Sequence, residues 1–116
     1  MIRLWKAFLN TLNGLRWGLR HERAIQEEFV ALALGLPASF YVAPTVGWWL
    51  ALLGSLMGLI VVELLNTAIE KLSDHVTPEH SRAIKIVKDL GSAAVFVTLC
   101  LAFMIWCAAL AVRFLQ

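Results

Sequence analysis

The sequence predicts an all-α membrane protein, and three observations lead to that fold class. The chain of 116 residues is 60% hydrophobic with a mean hydropathy of +0.77, whereas a typical soluble domain has about 45–50% apolar residues. Two long stretches, residues 29–62 and 90–112, contain no Asp, Glu, Lys or Arg, and the basic residues cluster outside them. The length suits one domain, residues 1–116, and the net charge of +2 gives no indication of nucleic-acid binding.

The N-terminal segment, residues 1–27, is predicted to form an amphipathic helix on the membrane surface. Large apolar side chains recur there at steps of three and four residues: Trp5, Phe8, Leu12, Leu15 and Leu19. Polar and basic side chains follow a similar spacing and form a separate stripe. A basic amphipathic helix that adjoins membrane-spanning segments lies in the plane of the lipid headgroups.

The first uncharged stretch is too long for one membrane-spanning helix. Residues 29–62 would extend about 51 Å as a single helix, whereas the hydrocarbon core is about 30 Å thick. A turn is predicted at residues 44–47, because Pro44 ends a helix and the following Trp48 and Trp49 suit the aromatic belt of a membrane interface. The predicted membrane-spanning helices are about 28–43, 47–70 and 88–114.

The distribution of basic residues predicts the orientation of these helices. Positive charges precede the first span and lie between the second and the third, whereas the turn at 44–47 carries none. Basic loops stay on the cytoplasmic side of a membrane. We therefore expect the N-terminus and the 71–89 loop in the cytoplasm, and only Arg113 departs from this bias.

A group of polar side chains is predicted at the cytoplasmic edge of the membrane. Glu63, Asn66 and Glu70 share one face of the second spanning helix, at positions i, i+3 and i+7. Glu63 lies about 24 Å along this helix from its predicted start, which places it near the edge of the hydrocarbon. Polar residues at the end of the surface helix and the start of the third span lie at the same depth: Glu22, Glu27, Glu28, Lys88, Asp89 and Ser92.

Several interpretations of this polar group remain open. Carboxylates in a membrane usually face the interior of a helix bundle, where one or two of them can bind Mg²⁺ together with phosphate oxygens. The same side chains could instead join helices by polar contacts. A protein of another class, a small proton- or cation-conducting bundle, would use Glu63 as its titrating group. The three His and two Cys residues lack the spacing of a zinc site.

Two sequence blocks, ELLNTAIEKLSDHVTPE and KDLGSAAV, resemble the signature of the small prokaryotic diacylglycerol kinase family. The N-terminal block RLWKAFLNTLNGLRWGLRHERAIQEE is similar to the surface helix of that family, so the resemblance covers nearly the whole chain. It implies a multi-pass enzyme of the bacterial inner membrane that phosphorylates the primary hydroxyl of diacylglycerol to phosphatidic acid. It further implies Mg²⁺ as cofactor, ATP as co-substrate, and a homotrimer with sites shared between subunits.

The resemblance also implies roles for individual residues. Glu63 matches the proposed general base, and Asn66, Lys88 and Asp89 match further catalytic positions. Glu22 and Glu70 match the metal-binding carboxylates. The matching nucleotide-binding positions are Arg3, Asn10, Glu22, Glu70, Glu79, His80, Ser81, Lys88 and Asp89. The positions that match the lipid-binding site are Ala7, Arg16, Gln26, Glu28, Glu63 and Ser92.

Undecaprenol is the alternative lipid substrate within the same family, since relatives in Gram-positive bacteria phosphorylate it. Gly91 and Ser92, directly after the Lys88–Asp89 pair, resemble the diacylglycerol branch instead. The chain has no G-x-x-x-x-G-K-[ST] loop and no H-R-D loop, the phosphate-handling parts of conventional kinases. Phosphoryl transfer here would therefore depend on positioning and charge neutralisation by the polar group.

Overall fold

The computed structural model describes residues 1–77 and 81–115, and within these ranges all regular secondary structure is helical. The elements are α1 (Ile2–His21), α2 (Arg23–Val42), α3 (Val46–Val76) and α4 (Arg82–Leu115). The all-α class is confirmed. In the described part of the chain, α3 and α4 are the two helices that are long and apolar enough to cross a membrane.

The uncharged part of α2 is shorter than a membrane-spanning helix needs. Glu27 and Glu28 lie in its first two turns, and its uncharged remainder, residues 29–42, extends about 21 Å. That length is short of a hydrocarbon core about 30 Å thick. Of the three predicted spans, the second and third have the character of membrane helices, and the first remains a prediction.

A single non-helical residue, Glu22, separates α1 from α2, and its backbone is extended (φ −118°, ψ 115°). The change of direction brings Gly18 of α1 against Ile25 of α2, where a Cβ on Gly18 would lie 2.8 Å from Ile25 Cδ1. Both residues are buried. The helix predicted over residues 1–27 therefore ends at His21. The bend at Glu22 allows Ile25 to pack onto Gly18.

The connection between α2 and α3 lies at the predicted turn. The side chain of Thr45 accepts a hydrogen bond of 3.3 Å from the backbone N–H of Trp48, and such an N-cap satisfies a donor that the helix leaves free. Pro44 directly follows Ala43, the C-cap of α2, and proline is common just past a helix end because it cannot continue the helix. The two helices thus run in opposite directions from this turn.

The apolar core lies between α2, α3 and α4, near the end of the molecule that carries this turn. Val42, Leu52 and Ala109 are buried together. On α4, Trp106 donates a hydrogen bond from Nε1 to Ser55 Oγ at 3.2 Å. This bond joins α4 to α3 within the apolar region. The polar group lies toward the opposite end of α3.

α3 and α4 both continue beyond the spans predicted for them. α3 ends at Val76 rather than at residue 70, and α4 begins at Arg82 rather than at residue 88. The added turns are polar, and a salt bridge of 2.7 Å between Lys85 and Asp89 supports the i, i+4 spacing of a helix there. Much of the segment predicted as the 71–89 loop is therefore helical.

Candidate active site

The polar face predicted for α3 turns inward. Glu63 is 8% exposed and Asn66 is 7% exposed, and the neighbouring Thr67 is also buried. Glu70, one turn beyond Asn66, is half-buried. A buried carboxylate is costly unless it interacts with other polar groups or has a function, so the surroundings of Glu63 define the candidate site.

Asn66 connects this face to α4. Its Nδ2 donates a hydrogen bond of 3.0 Å to Glu70 Oε1, and its amide lies against Gly91 so closely that a Cβ at Gly91 would overlap it. Asn66 Oδ1 is buried and has no hydrogen-bond partner among the described residues. The amide therefore holds Glu70 with its nitrogen, while its oxygen packs against Gly91.

Four carboxylates come together at this end of the helices. Glu63 interacts electrostatically with Glu70 and Glu22, and Glu28 on α2 interacts with Glu63. Glu28 Oε1 is buried and lacks a hydrogen-bond partner within the described ranges. Like charges repel one another, so these carboxylates would be stabilised by a bound cation, a proton or a hydrogen-bond donor.

A basic side chain of α3 contacts this group from outside. Lys71 Nζ lies 3.1 Å from Glu22 Oε1 and 5.4 Å from the centroid of the Trp17 ring on α1. One ammonium group thus contacts α1 and the bend between α1 and α2. The sequence offered no reason to select Lys71, because its two partners are distant along the chain.

The two candidate residues Lys88 and Asp89 have separate partners. Lys88 Nζ donates to Asp74 Oδ1 at 2.6 Å, whereas Asp89 accepts from Lys85 at 2.7 Å. Asp74, which was not selected from the sequence, therefore fixes Lys88 across the α3–α4 connection. The position of Asp74 one turn after Glu70, on the same helix, was the signal that could have identified it.

The remaining predicted site residues do not gather around the four carboxylates through direct polar contacts. Within the described ranges, no hydrogen bond or salt bridge links those carboxylates to Arg3, Asn10, Arg16 or Ser92, all of which are exposed. Ala7 is exposed as well, and Gln26 donates a hydrogen bond of 2.8 Å to the carbonyl of Leu19 across the α1–α2 bend.

Three predicted nucleotide contacts lie at the α3–α4 connection. Glu79 and His80 fall outside the described residues. Ser81 Oγ accepts a hydrogen bond of 3.1 Å from the backbone N–H of Ile84, which is the contact of a helix N-cap. Ser81 therefore stabilises the start of α4, whatever else it contacts.

The described residues contain no group of three or more His, Cys, Asp or Glu side chains arranged to hold a metal ion. The predicted pair Glu22 and Glu70 is a smaller set, and it suits a different kind of metal site. Mg²⁺ is usually bound by one or two carboxylates, with water and substrate phosphates as its other ligands. Glu22 and Glu70 both interact electrostatically with the buried Glu63, and two carboxylates are the ligand type and number that such an ion takes from a protein.

The chain resembles known proteins over most of its length. The sequence pattern of the prokaryotic diacylglycerol kinase family matches residues 9–110. The chain is 32% identical to the diacylglycerol kinase of Escherichia coli K12 over 105 residues, which cover 90% of this chain and 86% of that protein. It is 29% identical to the diacylglycerol kinase of Haemophilus influenzae over 96 residues, 83% of this chain and 81% of that one.

A relative with another named substrate matches at a similar level. The undecaprenol kinase of Bacillus subtilis is 33% identical over 95 residues, which cover 82% of this chain and 77% of that protein. Together, the apolar helices and the family match define a helical membrane kinase of bacteria. The chain belongs to the prokaryotic diacylglycerol kinase family.

Proposed function

We propose that this protein transfers the γ-phosphoryl group of ATP to the primary hydroxyl of diacylglycerol and so forms phosphatidic acid. The observation that carries the proposal is the buried Glu63, which is 8% exposed at the polar end of two membrane-type helices. Membership in a kinase family supports phosphoryl transfer. The names of the Escherichia coli and Haemophilus influenzae relatives support diacylglycerol as the acceptor.

In the proposed reaction, Glu63 is the general base. Its carboxylate accepts the hydroxyl proton of the lipid while the lipid oxygen forms a bond to the γ-phosphorus. The bond between the γ-phosphorus and the β–γ bridging oxygen breaks, and ADP leaves. A positioned general base contributes about 10²- to 10⁴-fold to the rate. Because Glu63 is buried, little bulk water reaches its carboxylate.

We further propose that Glu22 and Glu70 hold the Mg²⁺ that accompanies ATP. When bound, Mg²⁺ supplies positive charge that neutralises the phosphate oxygens. Asn66 holds Glu70 through a hydrogen bond of 3.0 Å. Lys88 and Asp89 complete the catalytic set, and the other nucleotide contacts are those that the family resemblance implies.

An apolar cavity of about 470 Å³ supports a lipid as the substrate. It lies between α1, α2 and α3, and its wall includes Gly18, Leu64, Thr67 and Lys71. Two of these residues, Leu64 and Lys71, directly follow the carboxylates Glu63 and Glu70 in sequence. In the proposed complex an acyl chain lies in this cavity, and the polar end of the lipid is directed toward the carboxylate end of α3.

The protein is proposed to act as a homotrimer in the bacterial inner membrane. We propose three spans per chain, and the charge distribution supports a cytoplasmic N-terminus and a cytoplasmic 71–89 segment. Most of the apolar surface of α4 is exposed in a single chain, which supports contact with lipid or with further copies. Sites shared between subunits would bring the exposed residues of α1 to the carboxylates of a neighbour.

The lipid substrate is the part of this proposal that most needs a direct experiment. The protein, purified in detergent, is given Mg²⁺, ATP labelled at the γ-phosphate, and either diacylglycerol or undecaprenol. We expect faster labelling of diacylglycerol. Faster labelling of undecaprenol would replace the substrate but retain the reaction, and labelling of neither lipid would remove the kinase proposal. A proton- or cation-conducting bundle would instead show ion flux in vesicles without ATP.

A further inference from the structure

We propose that Lys71 is a positioning residue that holds the carboxylate of Glu22 ready for a divalent cation. The inference rests on the proposed function, in which Glu22 is a ligand of Mg²⁺. It adds to that function a residue on α3 that contacts neither the phosphates nor the lipid hydroxyl. Three features of the molecule support this role: the bend between α1 and α2, the contacts of Lys71 and the second carboxylate oxygen of Glu22.

The backbone of Glu22 ends one helix and begins the next without help from its side chain. Its N–H donates to the carbonyl of Gly18 at 2.9 Å, and its carbonyl accepts from the N–H of Gln26 at 3.1 Å. An N-cap residue usually also accepts with its side chain, but Glu22 makes no such bond. The hydrogen bonds of the bend therefore do not fix the direction of the Glu22 carboxylate, and a contact with another side chain is needed to fix it.

Lys71 orients the Glu22 carboxylate. Its Nζ is 3.1 Å from Glu22 Oε1, and its position over the Trp17 ring, 5.4 Å from the centroid, restricts where the ammonium can lie. Because α3 is packed against both α2 and α4, Lys71 projects from a rigid helix. The carboxylate at the bend is thereby tied to the helix that carries Glu63.

The ion pair leaves half of the carboxylate available. Lys71 contacts Oε1 of Glu22, and an ionised carboxylate has a second oxygen that can bind a cation. Glu70 is held in the same way, since Asn66 donates to its Oε1. Both proposed metal ligands thus have one oxygen engaged by a protein donor. Groups that hold a metal-binding carboxylate in this way typically change metal affinity by about 10- to 100-fold when they are replaced.

Burial distinguishes this pair from an ordinary surface ion pair. The side chain of Glu22 is 25% exposed, with Lys71 at 56%, whereas the nearby pair of Arg23 and Glu27 is 89% and 65% exposed. Solvent screens the second pair more strongly. The Arg23–Glu27 pair is therefore a matched control from the same part of the chain.

The test measures binding of Mn²⁺, a paramagnetic substitute for Mg²⁺, to the full-length protein in detergent without nucleotide, because a nucleotide would itself bind Mn²⁺. Electron paramagnetic resonance reports the free Mn²⁺, and so the Kd. We expect Lys71→Met to raise the Kd about 10-fold or more. Lys71→Arg keeps the donor and should stay within about twofold of wild type, and Arg23→Met should match wild type. Because Lys71→Met also removes a positive charge that repels the cation, either an unchanged or a lower Kd in this variant would overturn the inference.

A double-mutant cycle separates positioning of Glu22 from general damage to the fold. If Lys71 acts through Glu22, Lys71→Met has no further effect on the Kd in a Glu22→Gln background. An equal effect in both backgrounds would show a role that does not pass through Glu22 and would overturn the inference. A wild type that binds Mn²⁺ as described but labels neither lipid would overturn the proposed function and leave the Lys71 assignment standing.

Discussion

At the scale of single residues, Asn66 shows how helix packing and site chemistry depend on each other. Its amide lies in the space that the missing side chain of Gly91 leaves on α4. From there its nitrogen donates to Glu70, while its oxygen lies against Gly91. A single glycine on one helix therefore determines the position of an amide and, through it, of a carboxylate on another helix.

Replacement of Gly91 tests this dependence. A Cβ at Gly91 would overlap the Asn66 amide, so Gly91→Ala should destabilise the protein by about 1–3 kcal/mol, the usual cost of overpacking. Kinase activity should fall as well, because Asn66 and Glu70 must move. Unfolding in mixed micelles measures the stability, and the lipid kinase assay measures the activity.

The matched control is Gly54→Ala on α3, where an added Cβ would meet no atom within 4 Å. Alanine is favoured over glycine inside a helix by about 0.5–1 kcal/mol, so this variant should be slightly more stable and fully active. Equal stability of the two variants would show that Gly91 does not accommodate Asn66.

At the scale of elements, the polar ends of α3 and α4 extend past the predicted spans and are tied together. Lys88 donates to Asp74 at 2.6 Å, which links the last turns of α3 to the first turns of α4. Both side chains are solvent-accessible, and an exposed ion pair adds only about 0–1 kcal/mol to stability. We infer that the pair orients Lys88 for the nucleotide rather than stabilising the fold.

Removal of Asp74 should therefore affect binding more than folding. We expect Asp74→Ala to change the free energy of unfolding by less than about 1 kcal/mol and to raise the KM for ATP by up to about tenfold, with kcat little changed. Tenfold corresponds to about 1.4 kcal/mol of lost binding. Steady-state kinetics with Arg23→Met as control measure the effect, and an unchanged KM would remove the orienting role of Asp74.

The elements also show how far sequence reasoning reaches. Helical periodicity identified the inward face of Glu63, Asn66 and Glu70, because these positions follow from the helix repeat alone. The bend at Glu22 was missed, since neither proline nor glycine occupies that position and the bend depends on packing of Ile25 onto Gly18. Residue patterns report local geometry, whereas a bend of this kind depends on tertiary contacts.

The same limit applies to the site. Composition and the family resemblance selected the carboxylates and the pair Lys88 and Asp89. They did not identify Lys71 or Asp74, whose partners lie on other helices and become visible only in three dimensions. The exposed residues of α1 make no polar contact with the carboxylates in a single described chain, so their predicted roles depend on assembly.

At the scale of the whole molecule, the charge distribution and the helices combine into one proposed topology. The polar ends of α3 and α4 lie on the side of the bend at Glu22, whereas the turn at 44–47 lies at the opposite end of α3. With basic residues concentrated at the first end, the site should face the cytoplasm, where ATP is present.

Single-cysteine labelling tests this topology. Cys100 and Cys107 are free and exposed, so both are first replaced by serine. In that background Arg82→Cys should react with a membrane-impermeant maleimide only from the cytoplasmic side, and Val46→Cys only from the opposite side. Reaction of Arg82→Cys in intact spheroplasts would contradict the proposed orientation.

The central claim is that the buried carboxylate of Glu63 takes the proton from the lipid hydroxyl. The most direct measurement is kcat of Glu63→Gln in the lipid kinase assay, since glutamine keeps the size of the side chain but removes the base. Glu27→Gln is the control, because Glu27 is exposed and paired with Arg23. We expect kcat of Glu63→Gln to fall by about 10²- to 10⁴-fold and the control to remain near wild type. A Glu63→Gln variant that retains wild-type kcat would contradict the account.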